Sequence, residues 1–542
     1  MKQWVGIALG CALMGACAVS SVDGERELEA GMMSMQTYEA TGWTAKTLPE
    51  LSIALAAGEL SSTALTDAYL DRIKQVDQQG PQLQSVLALN PDAMAQAQAS
   101  DARRARGETL SPLDGIPVLL KDNIETLDPV ATTAGALVLK DNITGRDSPL
   151  VAGLRAQGAV ILGKTNLSQW ANFRSNDSIS GWSALGGQVR NPHMLDRSPC
   201  GSSSGSGAAA AASLAAGTVG TETNGSITCP SNVNGIVGFK PTVGLVSQQY
   251  IVPISHSQDT AGPMTKTVTG AAMMLNAMAD GEAKTDYVAG LDSSSLSGKR
   301  VGVLRFAEGS NADIKAHFEA AIKVLEDQGA ILIEIDTFEP DAENFWGNAL
   351  SVLEFEYKAS LDAYMADTPD TVPARSLADI IAFNQDNADV ELALFDQSLM
   401  DSSQEKGSLR DAEYLDALSA VQSATREKGI DLLLAEHSVD MLVSPSGPVS
   451  SRVDPINGDV WPSWAGAGYL AAIAGYPHIT VPMGDVHGIP VGFSIMGAKD
   501  QDAAILSYGY AYEQASQMRV EPKYLKDAED RAEIAASMKV EK

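Results

Sequence analysis

The chain has 542 residues, 44% hydrophobic and 20% charged, with a formal charge of -30 and a pI near 4.5. That apolar content excludes wholesale disorder. The acidic balance excludes nucleic acid as a partner, because phosphate binding needs clustered Lys and Arg, and it disfavours adhesion to anionic lipid.

At the N-terminus, Lys2 precedes the apolar run "WVGIALGCALMGACAV" from Trp4 to Val19. One positive residue, a short apolar core and small residues at its end describe an export signal over residues 1–18. The run is slightly short for a membrane-spanning helix. "MGAC" ending at Cys17 resembles a bacterial lipobox, and "ACA" ending at Ala18 fits ordinary cleavage. The chain is therefore expected to be exported, periplasmic or lipid-anchored to the cell envelope through Cys17. Residues 19–45 read as an irregular mature N-terminus, and residues 46–542 as one large domain.

From Thr47 to Asp77 the apolar residues recur at helical spacing and predict two amphipathic helices. "DAMAQAQASDARRARGE", beginning at Asp92, predicts a third. The run Ile116 to Leu120 is fit for a buried strand, with Lys121 at its end. Ala159 to Leu162 repeats that pattern and is followed by Lys164, which is expected to be structural.

The stretch "SPCGSSSGSGAAAAASLAAGTVGTETNGSITCP" runs from Ser198 to Pro230 and has the composition of a linker. Its alanine-rich part, Ala208 to Ala216, contradicts that reading. A helix apolar on every side is buried, so the Gly/Ser loop must enter the heart of a domain. Further on, Asn224 and Gly225 precede Ser226 in a turn. Both residue types tolerate positive φ, so successive N–H groups can converge on one point and stabilise an oxyanion.

Downstream, Arg300–Phe306 and Ile331–Asp336 bracket a helical pattern and predict a βαβ unit. Residues 340–440 read as mostly helical. Met441–Val443 reads as a strand, "YPHITVPMGDVHGIPVGFSIMG" as paired strands, and Asp502–Met518 as the final helix. Trp461 and Trp464 are expected to pack in the core, with a substrate cleft as the alternative. The six histidines show no metal-ligand spacing, so no metal is expected. Cys11 and Cys17 belong to the signal. Cys200 and Cys229 fit either one disulfide or two buried thiols.

Three features stand in order: "GIPVLLKDNI" with Lys121, "GSSSGSG" with Ser202, and "GTETNGSI" with Ser226. The serines lie 24 residues apart, and "GFKPTVGLVS" follows from Gly238. Here the sequence resembles the amidase signature family, and within it the peptide amidase branch. "HSQDTAGPM", "RSLADIIAFN" and "AGYPHITVPMGDVHGIPVGFSIMG" carry the likeness to that branch. Cys200 and Ser204 depart from the family's glycines, and Asn224 stands where Gly or Asp is more usual.

The resemblance implies an α/β fold, a mixed twisted central β-sheet flanked by helices in one large domain. It also implies a Ser–cis-Ser–Lys triad of Ser226, Ser202 and Lys121, with no cofactor. The oxyanion would rest on the N–H groups of Thr223, Asn224, Gly225 and Ser226, with Ser203 supporting the loop. A serine needs a base to become nucleophilic, no His relay is evident, and a lysine can be that base if burial lowers its pKa. The alternative for Lys121 is a structural ion pair with Asp122 or another carboxylate. The expected activity is ammonia release from carboxamides, chiefly C-terminal peptide amides, by a chain with no obligatory protein partner. The alternatives are a general or fatty-acid amide hydrolase, a component of a glutamine amidotransferase, and a non-catalytic binding protein of the same fold.

Overall fold

A computed structural model describes residues 38–279 and 285–538. The expected export signal, Cys17 and most of the 19–45 stretch lie outside the described residues. Within that stretch Gly42–Ala45 forms one helical turn, so its described end is not irregular.

Eleven strands form a single mixed sheet: β1 (Val86–Leu89), β2 (Pro117–Lys121), β3 (Val160–Thr165), β6 (Gly217–Glu222), β7 (Val237–Lys240), β8 (Thr260–Thr265), β9 (Arg300–Leu304), β10 (Ile331–Ile335), β11 (Met441–Pro445), β12 (His478–Val486) and β13 (Ile489–Met496). A separate two-stranded ribbon pairs β4 (Trp182–Ser183) with β5 (Gly187–Gln188). Spatial order in the large sheet is β1-β3-β2-β6-β8-β7-β12-β13-β11-β9-β10. The run β3-β2-β6 is parallel, as is β11-β9-β10, while the strands between them pair antiparallel.

The main helices are α1 (Leu48–Ala57), α2 (Ser62–Arg72), α3 (Ala93–Ala105), α4 (Pro149–Ala156), α5 (Ser204–Ala211), α6 (Thr228–Asn234), α7 (Val268–Met278), α8 (Ala312–Asp327), α9 (Phe345–Ala366), α10 (Ala412–Thr425), α11 (Gly468–Ala474) and α12 (Asp502–Ser516). Local chemistry explains their starts. At α1, Thr47 and Glu50 form a capping box, which satisfies N–H groups that lack a partner in the first turn. At α8 the Asn311 side chain accepts from the N–H groups of Asp313 and Ile314. Ile314, Phe318, Ala321, Ile322 and Leu325 then recur at helical spacing and are buried.

The expected βαβ unit is present, with β9 and β10 parallel and paired from Arg300↔Ile331 onward. One expectation fails in its bounds. The Ala208–Ala216 helix begins earlier, at Ser204, and ends at Ala211. Ser213 takes a left-handed conformation (φ 62), and the chain turns there to enter β6 beside β2. The helix at Asp502–Ser516 is also not the last, since Ala532–Met538 follows.

The connection from β2 moves outward to β3, and the connection from β3 returns across β2 to β6. Right-handed crossovers put α4 and α5 on opposite faces of the sheet for that reason. The carboxyl ends of β2 and β6 therefore flank a topological switch point, where open α/β sheets leave a crevice.

Candidate active site

Lys121 ends β2, and the Thr223–Ser226 turn follows β6 at the same sheet edge, because Leu120 is in register with Val219. The apolar strand Pro117–Leu120 is buried on both faces and carries the lysine inward, so Lys121 is 0% exposed. Its Nζ donates to Ser202 Oγ at 2.8 Å, to Thr221 Oγ1 at 2.8 Å and to the Thr221 carbonyl at 3.3 Å. Burial removes solvent from the ammonium and pushes its pKa down from 10.5 to about 7; the negative charges of Asp259 and Glu222 oppose that shift.

The ion-pair alternative for Lys121 does not hold. Asp122 instead faces Lys164, whose Nζ lies 3.4 Å from Asp122 Oδ1 and donates to the Ile124 carbonyl at 2.6 Å and Thr132 Oγ1 at 2.8 Å. Lys164 is thus held by the fold, as expected, and Lys121 has hydroxyl and carbonyl partners.

Ser202 follows a cis Gly201–Ser202 peptide bond and is buried. Its carbonyl accepts from the Ser168 N–H at 3.1 Å, while the neighbouring Ser203 N–H donates to the Ser226 carbonyl at 3.1 Å. That second bond ties the two serine segments together. Ser203 Oγ donates to the Thr221 carbonyl at 3.0 Å and accepts from the Thr221 N–H at 3.1 Å. Cys200 and Cys229 form a disulfide with Cα atoms 6.0 Å apart, which decides between bridge and free thiols. It fastens the loop before Ser202 to α6, the helix that follows Ser226.

The turn between β6 and α6 is shaped by its own charges. Glu222 Oε2 accepts from the N–H groups of Ile227 (2.8 Å) and Thr228 (3.0 Å), at the start of α6. Thr223 Oγ1 donates to Asp259 Oδ1 at 2.6 Å, and the other Asp259 oxygen accepts from the N–H groups of Ile254 and Ser255. Burial pushes Asp259 up to about 6 despite these bonds. Gly225 has φ +82 with open space around a would-be Cβ, so backbone conformation, and not crowding, selects glycine there. Among the described residues, the N–H groups of Thr223, Asn224, Gly225 and Ser226 have no acceptor.

Two cavities meet this turn. One, about 290 Å³, is lined by Asn123, Thr221, Thr223, Asp259 and Tyr364 among others. The other, about 570 Å³, has Cys200 and Gly201 from the Ser202 loop and Asn224, Gly225 and Thr228 from the Ser226 turn in its wall. Trp461 and Trp464 line the larger cavity, together with Trp346 and Tyr469.

Sequence reasoning did not single out Thr221, Glu222, Asp259, Asp459, Trp346 or Tyr469. Thr221 near the end of β6 and Thr223 just past it stand two apart, and that period of two was the available signal. For Asp259 the signal was the one acid within "HSQDTAGPM", a stretch already marked by its likeness to the peptide amidase branch. Nothing local marks Trp346 or Asp459.

Comparison with known proteins places most of the described domain in one family. The pattern of the Amidase family matches residues 64–506. A "Probable amidase" of Arabidopsis thaliana is 36% identical over 500 residues, covering 88% of this chain and 91% of that protein. A glutamyl-tRNA(Gln) amidotransferase subunit of Halorhodospira halophila is 34% identical, with 87% and 97% covered. Among solved structures, the peptide amidase PAM bound to the competitive inhibitor chymostatin has TM-score 0.85 and 45% identity, covering 88% of this chain and 99% of that one. The native peptide amidase of Stenotrophomonas maltophilia has TM-score 0.83 and 44% identity, with 88% and 98% covered.

Proposed function

Since this chain belongs to the amidase signature family and is an amide-hydrolysing enzyme, we propose that it releases ammonia from the C-terminal amides of peptides through Lys121, Ser202 and Ser226. Neutral Lys121 takes the proton of Ser202, and Ser202 takes that of Ser226. The freed Ser226 oxygen attacks the amide carbonyl, and the N–H groups of Thr223, Asn224, Gly225 and Ser226 hold the oxyanion. The relay returns its proton to the departing ammonia. Water then releases the acyl-enzyme by the reverse path. Ser203, through both bonds to Thr221, keeps the loop in place.

The observation that carries this reading is the 2.8 Å hydrogen bond from a fully buried Lys121 to Ser202. A lysine with no carboxylate partner among the described residues and a pKa near neutrality is suited to general-base work. The peptide-amide substrate is supported by the 45% identity to a peptide amidase, against 34% to the amidotransferase component. Export, with cleavage after Ala18 or lipid attachment at Cys17, belongs to the same reading and rests on the Trp4–Val19 run alone.

The test is ammonia release from amidated peptides, with the free-acid peptides, glutamine and fatty amides as comparisons. Amidated peptides should be preferred. Ser226→Ala, Ser202→Ala and Lys121→Ala should each lose roughly 10³-fold or more, and the pairwise mutants should be little worse than the singles, because the three act as a unit. Near-parental turnover in Lys121→Ala would sink the assignment.

A further inference from the structure

The wall of the larger cavity combines two kinds of group that recognise the same thing. Trp346 and Tyr469 pack with ring centroids 5.0 Å apart, and Trp461 and Trp464 with centroids 6.0 Å apart. All four line the cavity, and Trp346 and Trp464 are 60% and 49% exposed. Indole faces left open to a cavity are costly for a chain that could have buried them, and they carry the negative quadrupole that attracts cations.

Asp459 lies in the same wall. Its Oδ1 accepts from the Ser180 N–H at 3.1 Å, which fixes its direction. Among the described residues no Lys, Arg or His lines the cavity, and Asp459 has no ion-pair partner. Burial raises its pKa, the response of a carboxyl that lacks a counter-charge. A formal charge of -30 over the whole chain adds long-range attraction of the same sign.

From these observations we infer that the larger cavity is selective for amide substrates whose acyl part carries a positive charge, held between the aromatic wall and the Asp459 carboxylate. The charge can be the free α-ammonium of a short peptide amide or the side chain of a Lys or Arg residue. Both present a partly desolvated cation to ring faces and one carboxylate. This inference rests on the amide-hydrolase reading, because the cavity borders the turn that bears Ser226.

The test uses matched pairs. Alanyl-phenylalaninamide is compared with its N-acetyl form, and N-acetyl-alanyl-lysinamide with N-acetyl-alanyl-norleucinamide. The first pair isolates the ammonium terminus and the second the side chain. The cationic member of at least one pair should have a kcat/KM roughly tenfold higher, mainly through KM. In Asp459→Asn that ratio should fall to within about twofold. The asparagine oxygen can still accept from Ser180, so this variant removes charge and keeps the bond. Should it misfold, Trp461→Leu and Trp464→Leu give the second reading, each lowering the ratio several-fold. Binding of the same peptides to the Ser226→Ala variant, followed by tryptophan fluorescence, should repeat the preference without turnover. Equal kcat/KM values within both pairs, or a ratio undiminished in Asp459→Asn, overturns the inference. Cationic preference in binding with no ammonia from any amide would refute the hydrolase reading instead.

Discussion

Replacing Lys121 by Met should abolish ammonia release and remove one component of the pH dependence of stability. In the unfolded chain Lys121 keeps its proton up to about 10.5, whereas in the folded chain burial lets it go above about 7. Between these values the unfolded state holds one more proton, so stability rises with pH there. At 1.36 kcal/mol per unit, the burden that Lys121 places on the fold is about 4 kcal/mol at pH 7 and about 2 kcal/mol at pH 9. Against this, Met gives up the three hydrogen bonds that Nζ makes to Ser202 and Thr221, worth roughly 1 kcal/mol each. The two contributions nearly cancel at pH 7, and the informative quantity is how their difference changes with pH. Lys240 and Lys266, also pushed down by burial to about 8 and about 7, bend the parental curve in the same way and cancel when the two proteins are subtracted. Denaturant unfolding of both proteins at pH 7 and pH 9 reads this directly. The stability of Lys121→Met relative to the parent should fall by about 2 kcal/mol across that interval. A difference that stays constant with pH would show that Lys121 titrates like an ordinary solvated lysine, and would refute its role as a neutral base.

Activity itself should rise with pH through about 7, the folded-state value for Lys121, and Lys121→Arg should not restore it, because a guanidinium stays protonated; a parental profile in the Arg variant defeats the relay. Asp259 holds the Lys121 pKa up through its negative charge, so Asp259→Asn should move the acid limb of the rate profile to lower pH, and a limb that stays put removes that coupling. Mutating both Cys200 and Cys229 to Ser opens a loop of sequence separation 29, for which chain entropy puts the loss of stability near 3–4 kcal/mol; an unchanged unfolding midpoint under oxidising conditions would count against the bridge. In a bacterial host, fractionation should find the chain in the envelope, and Cys17→Ser should release it from the membrane if the anchor is a lipid there; recovery in the cytosol with an intact N-terminus rules out export.

The parts of this fold that were legible in the sequence are those whose burial does not depend on neighbours. The apolar strands β2 and β3, the βαβ unit from Arg300 to Ile335 and the paired strands β12 and β13 carry their own pattern. The proposed site could also be read there, since Lys121, Ser202 and Ser226 stand in motifs of fixed order, and the Ser198–Pro230 stretch betrayed its burial through its alanines. The strand that leads into the Ser226 turn was not legible. Gly217–Glu222 is glycine- and threonine-rich with no apolar run to mark it, yet it is a buried strand because β2 and β8 supply hydrogen-bond partners on both sides. Local propensity cannot register partners that lie far away along the chain.

What only the tertiary structure decided was partnership. Lys121 and Lys164 both follow apolar strand segments, and the sequence places Asp122 next to the first of them. The fold turns that carboxylate toward Lys164, since adjacent residues at a strand end point to opposite faces, and so leaves Lys121 to Ser202 and Thr221. Likewise the bridge from Cys200 to Cys229, the Thr223–Asp259 bond and the meeting of Trp346 with Tyr469 join residues distant in sequence. The sequence by itself determined which chemical groups this protein carries. Which of them are desolvated, paired or left free is set by contacts between separate elements, because pKa and hydrogen bonding depend on what surrounds a group in space.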